Sequence, residues 1–209
     1  MGPQSKWDTQ ASDAVIQKTV ESLKKRNVAA HVVKSREEAL AKLQELIPVG
    51  SEVMTGSSTT LDEIGFSKLL NAQDGPYKSY GAAVRAENDE AKRNSLRRQA
   101  VLVSYFLGSV HAVAESGEIV VASRTGSQLP AYVMTSPHVI WVAGTQKIVP
   151  TLNDALDRVR HYVLPLEDQR MKKAMGPQSG SSIGKLVIIE NEITAGRLTM
   201  IFVKENLGF

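Results

Sequence analysis

The hydrophobic positions of this chain alternate between helical and strand spacing from one end to the other. From Asp8 to Arg26, Ala14, Val15, Thr19, Val20 and Leu23 recur at helical intervals. The run closes on Lys24-Lys25-Arg26-Asn27, cations and an asparagine where a helix stop favours them. Ala29 to Val33 reads as a short strand. Ser35-Arg36-Glu37-Glu38 is a capping box that opens a second helix, and Pro48 ends it just beyond Ile47. Ser51 to Thr55 is a further strand, running straight into Gly56-Ser57-Ser58-Thr59-Thr60, with Thr60 and Glu63 as a second capping box.

Leu69 to Gly81 reads as an exposed connection, and Glu87 to about Leu107 as one long helix with Arg93, Arg97 and Arg98 on a solvated face. Two short runs of strand character then flank a Glu115-Ser116-Gly117 turn, and Thr125-Gly126-Ser127 opens another helix. Pro137 to Ala143 is almost wholly apolar, as in a strand buried on both faces of a parallel sheet, and leads into Gly144-Thr145-Gln146-Lys147. Thr151 to Asp154 starts a helix that buries Ala155, Leu156, Val159 and Val163. Leu166 to Met175 follows as a charged helix, and Gly176 to Gly184 as a Gly/Ser segment. Leu186 to Ile189 and Leu198 to Val203 close the chain as an antiparallel-looking tail. Strands alternating with helices predict a three-layer α/β/α sandwich around a mostly parallel, mixed sheet. The whole reads as one domain, with the helices and strand of residues 1–50 packed on a body formed by 51–209.

Composition narrows the function. Lys plus Arg number 25 against 22 acids, a surplus too small and too scattered for a nucleic-acid face. There is no cysteine, which excludes thiolate catalysis, disulfides and cysteine-held iron–sulfur clusters within the chain. The four histidines, His31, His111, His138 and His161, show no metal-ligand spacing, so no metal site or cofactor is expected. Met1 to Asp13 is polar and no apolar run approaches a membrane span, so a cytoplasmic protein with no membrane contact is expected.

The candidate chemistry lies in loops that follow strands. Free amides at a helix start favour an anion, and Gly56, Ser57, Ser58, Thr59 and Thr60 add close backbone approach and hydroxyl donors. The same residues also suit plain helix capping. Glu115, if it faces that loop, is a general base or nucleophile; otherwise Ser116 and Gly117 simply bend a hairpin. Thr125, Gly126 and Ser127, together with Gly144, Thr145, Gln146 and Lys147, sit on the same edge if their strands are parallel. Lys147 and Lys185 then supply the counter-charge for phosphate or carboxylate.

Five segments in order carry a family resemblance: Thr55 to Gly65, Ala114-Glu-Ser-Gly-Glu-Ile-Val120, Thr125-Gly-Ser-Gln-Leu129, His138 to Val149, and Tyr162-Val-Leu-Pro-Leu-Glu-Asp168. Together they resemble the lactate-utilisation (LUD) domain proteins over most of Val53 to Phe209. The resemblance implies the fold of the CoA transferases, ribose-5-phosphate isomerase and glucosamine-6-phosphate deaminase. It also implies a part in oxidising L-lactate to pyruvate beside iron–sulfur partner proteins, with this cysteine-free chain as a non-cluster subunit, alone or as a homo-oligomer. Glu115-Ser116-Gly117 looks like the Glu-Asn-Gly turn of CoA transferases, with serine for asparagine. A CoA-transferase-like enzyme using Glu115 and a non-catalytic accessory subunit are the alternatives.

Overall fold

The structure, a computed structural model, describes residues 6–209; the polar stretch Met1 to Ser5 lies outside the described residues. Ser12 caps α1 (Asp13–Lys25), which turns its Ile16, Val20 and Leu23 inward. β1 (Ala29–Val33) follows, and Ser35 accepts from the Glu38 N–H to start α2 (Arg36–Leu46), as the capping box requires. β2 (Glu52–Thr55) leads to α3 (Thr59–Glu63). Here Ser58, not Thr60, is the cap, since it accepts from the Leu61 N–H while Thr60 is buried.

The expected exposed connection instead holds α4 (Phe66–Leu70), a buried Tyr77 and the two-residue strand β3 (Lys78–Ser79). The expected long helix also divides. α5 (Tyr80–Ala86) and α6 (Glu90–Gln99) give way to a 3-10 turn and then to β4 (Tyr105–Gly108). α6 buries no residue, so its polarity carries no helical phase to mark where it stops.

β5 (Ala112–Ala114) and β6 (Ile119–Ser123) form a hairpin around Glu115-Ser116-Gly117. The helix expected after Thr125 is mainly a π turn at Ala131–Thr135. β7 (His138–Gly144) and β8 (Ile148–Val149) come next. Thr151 caps α7 (Leu152–Arg158), which passes through a π turn into α8 (Leu164–Met175). The last two strands, β9 (Lys185–Ile189) and β10 (Leu198–Val203), do not pair with each other. β9 runs antiparallel to β6, whereas β10 inserts between β1 and β7, so the expected antiparallel tail is split between two sheets.

The main sheet is six-stranded, in the order β1-β10-β7-β4-β2-β3, with every neighbour parallel. The second is a four-stranded mixed sheet, β8-β5-β6-β9. Period-two alternation sorts the main strands' side chains between two cores. Leu107, Ile140, Val142, Ile201 and Val203 meet Leu43, Leu61 and Phe66 of the helices on one face. Phe106, Trp141, Met200 and Phe202 meet α1 and the second sheet on the other. The second sheet's outer face packs Ala112, Val120 and Val149 on Ala155 and Val159 of the α7 region. This is an α/β protein with a parallel central sheet covered on both sides. Because all six main strands point the same way, the loops leaving β2, β4, β7 and β10 gather on one edge.

Candidate functional site

A cavity of about 410 Å³ opens at that carboxyl edge, where open parallel sheets place their ligands. Its floor comes from Gly56 to Thr60 after β2, Ser109 to His111 after β4, and Lys147 after β7. Ala122 and Ser123 of β6 form a second side with Thr125, Ser127 and Gln128. Val159, Val163 and Met171 supply an apolar roof, and Gly208 and Phe209 close one flank.

Lys147 dominates the electrostatics. It is 2% exposed, yet among the described residues its ammonium donates to hydroxyls alone, to Ser109 Oγ at 3.0 Å and Thr60 Oγ1 at 3.2 Å. Among the described residues no carboxylate lies within ion-pair distance of it. Burial, and then the Arg158 guanidinium, push its pKa down to about 7, against a weaker pull from Glu63. The hydroxyls are held in turn: Thr60 Oγ1 reaches Ser109 Oγ at 3.3 Å and the Leu207 carbonyl at 3.5 Å.

His111 stands beside it. Its Nδ1 accepts from the Ala122 N–H at 3.1 Å, which leaves the proton of the neutral ring on Nε2. Burial first, then Lys147 and Arg158, lower its pKa to about 3. Arg158 is fully buried and donates to the His111 carbonyl at 2.6 Å. At the rim, Arg170 forks onto Glu167 at 2.6 and 2.8 Å, so that acid is already neutralised. Gly108, at the end of β4, lets Tyr132 form part of the wall, since a Cβ there would collide with the Tyr132 hydroxyl.

The structure brings together Gly56, Ser57, Ser58, Thr59, Thr60, Thr125, Ser127 and Lys147 of the residues expected from sequence. The others sit elsewhere. Gly144, Thr145 and Gln146 are buried under the C-terminal segment, where Gln146 donates to the Leu207 carbonyl at 2.9 Å. A Cβ at Gly144 would collide with the Glu205 carbonyl, so glycine there admits the crossing chain. Lys185 is exposed and lies across Gly126, outside the cavity lining.

Glu115, Ser116 and Gly117 are not at the cavity. They end β5 at the far side of Ala112–Ala114, about 13 Å of extended chain beyond His111. Glu115 is ion-paired with Lys18 of α1 at 2.8 Å. The Ser116 carbonyl accepts from Arg26 Nε at 2.8 Å. Gly117, at φ 100°, makes room for that arginine: a Cβ there would lie 2.8 Å from its Cδ. Arg26 also binds Glu118 and Glu190, so this turn clasps the end of α1. Ser109, Tyr132 and Arg158 are not among the residues expected from sequence, and His111 enters there only as one of four histidines without metal-ligand spacing. The signal for Ser109 is the strand preceding it, hidden inside the stretch that reads as a long helix.

The sequence model of the LUD domain matches residues 16–203. The chain belongs to the LUD domain family. Among solved structures, this LUD domain is similar to a DUF162 family protein from Deinococcus radiodurans. That match has 11% identity and a TM-score of 0.48, over 92% of this chain and 98% of that one. It is also similar to eIF2B beta from Chaetomium thermophilum, with 16% identity and a TM-score of 0.35, over 66% of this chain and 48% of that one. No curated protein matches the chain. Among the described residues, no helix is long and apolar enough to cross a membrane, and no cluster of acids and histidines is grouped to hold a metal.

The His111 environment makes one prediction. Its pKa in the fold is about 3 against 6.5 in the unfolded chain, so the unfolded state binds more protons between those values. Stability therefore falls as pH drops through that window. His111→Asn keeps an acceptor for the Ala122 N–H and removes the titration. Its melting temperature should fall less on acidification than that of the wild type; parallel curves would exclude His111 as a source of the acid lability.

Proposed function

We propose that this LUD domain serves lactate utilisation, the oxidation of L-lactate to pyruvate, by binding a small organic acid or a phosphorylated or CoA-linked acid in the carboxyl-edge cavity. The observation that carries the reading is Lys147: a buried amine with hydroxyl partners and, among the described residues, no carboxylate at ion-pair distance is matched to an anionic ligand. Ser57, Ser58 and Thr59 face the same space, and the apolar roof suits the body of an organic acid. Glu115 has no part in this reading. Its pairing with Lys18, away from the cavity, gives no support to a CoA-transferase step through that side chain.

Thermal shift across L-lactate, pyruvate, sugar phosphates and CoA esters tests the proposal. At least one should stabilise the wild type at millimolar concentration, by an amount that grows with the logarithm of ligand excess. The same ligand should leave Lys147→Met unmoved and still stabilise Glu115→Gln. No stabilisation by any of these compounds, or equal stabilisation of the Lys147 variant, would refute it.

A second reading, an accessory subunit docked on an iron–sulfur protein, has one observation in its favour. Val133, Met134 and Ile193 are exposed apolar side chains flanking the groove beside β9. The burial of Leu207 and the Gln146 donation to its carbonyl give no support to docking through residues 205–209.

A further inference from the structure

We infer that Lys147 is a nucleophile that forms an imine with a carbonyl compound bearing an acid group; this rests on the reading of the cavity as the ligand site. A lysine held at such depth for structure alone is ordinarily paired with a carboxylate, because an unpaired buried ammonium is costly. Lys147 instead has Ser109 Oγ at 3.0 Å and Thr60 Oγ1 at 3.2 Å, and it lines an open cavity. The nearest charges are arranged to favour the free amine. Arg158 is the cation that acts on it, Glu63 opposes more weakly, and the Glu167 carboxylate at the rim is tied to Arg170. Desolvation beside a second cation is a known means of activating an amine toward carbonyl carbon. Its lowered pKa, about 7, leaves a large share of free base at neutral pH.

The hydroxyls fit the proton movements. The amine lone pair forms the C–N bond while the carbonyl π pair moves to oxygen. The nitrogen loses a proton through Ser109 or Thr60 and the oxygen gains one, giving the carbinolamine. The hydroxyls return a proton to that oxygen, the C–O bond breaks, the nitrogen lone pair forms C=N as water leaves, and the remaining N–H proton passes back to the hydroxyls to leave the neutral imine. Amine and carbonyl are consumed, imine and water appear, and no oxidant or reductant is required.

The rest of the cavity defines the compound class. The hydroxyl side chains of Ser57, Ser58 and Thr59, which line the cavity, suit a carboxylate or phosphate on the ligand. Val159, Val163 and Met171 suit an alkyl chain, and a volume of about 410 Å³ leaves room beyond a three-carbon acid. Oxo acids with a short side chain fit this description best.

Reductive trapping tests the inference. The whole chain is incubated with pyruvate, 2-oxohexanoate or dihydroxyacetone phosphate and sodium cyanoborohydride at neutral pH, then read by intact mass and peptide mapping. One reduced adduct is expected, on Lys147, forming at least about tenfold faster than on any surface lysine, whose free-base fraction is roughly a thousandfold smaller. Lys147→Met, shown folded by its melting curve, should carry no adduct. Ser109→Ala should trap more slowly while keeping its thermal shift with the same acids, which a merely structural hydroxyl would not produce. Adducts confined to surface lysines, or persisting equally in Lys147→Met, overturn the inference. If the acids still give a Lys147-dependent thermal shift without an adduct, the imine falls and the binding site stands. If neither appears, both fall.

Discussion

Lys147→Met should raise the melting temperature while abolishing the response to anions. In the fold the lysine titrates at about 7, against 10.5 in the unfolded chain. The unfolded state therefore binds more protons between those values, and stability rises with pH across that window. Below about 7 the full cost of the buried charge is present. Moving a titration by one pH unit takes about 1.4 kcal/mol of differential interaction. Methionine keeps the aliphatic stem, and the Ser109 and Thr60 hydroxyls retain each other and the Val110 and Leu207 carbonyls as partners. Recovery of even about 2 kcal/mol would lift the melting temperature by roughly 4 °C or more for a chain of this size. The wild type's rise in stability between neutral and alkaline pH should flatten in the variant. A lower melting temperature combined with an intact anion response would make Lys147 a structural residue and remove the basis of the proposed site.

Arg197→Met should be the most damaging single change away from the cavity floor. Arg197 is buried just before β10, where Nε binds Glu192 at 2.7 Å. Its Nη atoms donate to the carbonyls of Ala131, Tyr132, Val133 and Ser136 at 2.7–3.3 Å. The π turn that carries Tyr132 to the cavity is thus held by one guanidinium. Burial pushes the Glu192 carboxyl up, but the Thr194 N–H and Arg197 outweigh it and hold the group below its usual value. Removing the arginine strands a buried carboxylate and those carbonyls together, a loss of about 3–5 kcal/mol by analogy with other broken buried pairs. The melting temperature should drop by roughly 10 °C. Adding Glu192→Gln to the variant should restore part of the loss, since the uncompensated charge is gone. A single variant within about 1 kcal/mol of the wild type would show that water replaces the guanidinium there.

Much of the fold is legible in the sequence because its signals are local. Ser35 and Thr151 announce their helices through the amides they cap, and the unbroken apolar run of β7 announces a strand covered on both faces. The loop from Gly56 to Thr60, which lines the cavity, is legible as a strand-to-helix turn for the same reason. β4 is not: four residues after a helix without an apolar stripe give neither a period nor a stop. Losing β4 also hides Ser109, one of the two hydroxyls that define the Lys147 environment. Lys147 itself can be picked out by residue type, but its burial cannot. That burial depends on β4 and on the segment around Gly208, and both are distant in sequence. Glu115 shows the converse. Its motif suggests chemistry, while pairing with Lys18, 97 positions earlier, sets its actual surroundings.

The insertion of β10 between β1 and β7 bears on how the protein is made. Until residues 198–203 leave the ribosome, β1 lacks its one neighbour among the described strands, and the nearly finished sheet presents an open edge on β7. Completion of the sheet must then wait for β10 to emerge, as a slow, long-range closure during which an unpaired hydrophobic edge is vulnerable to aggregation.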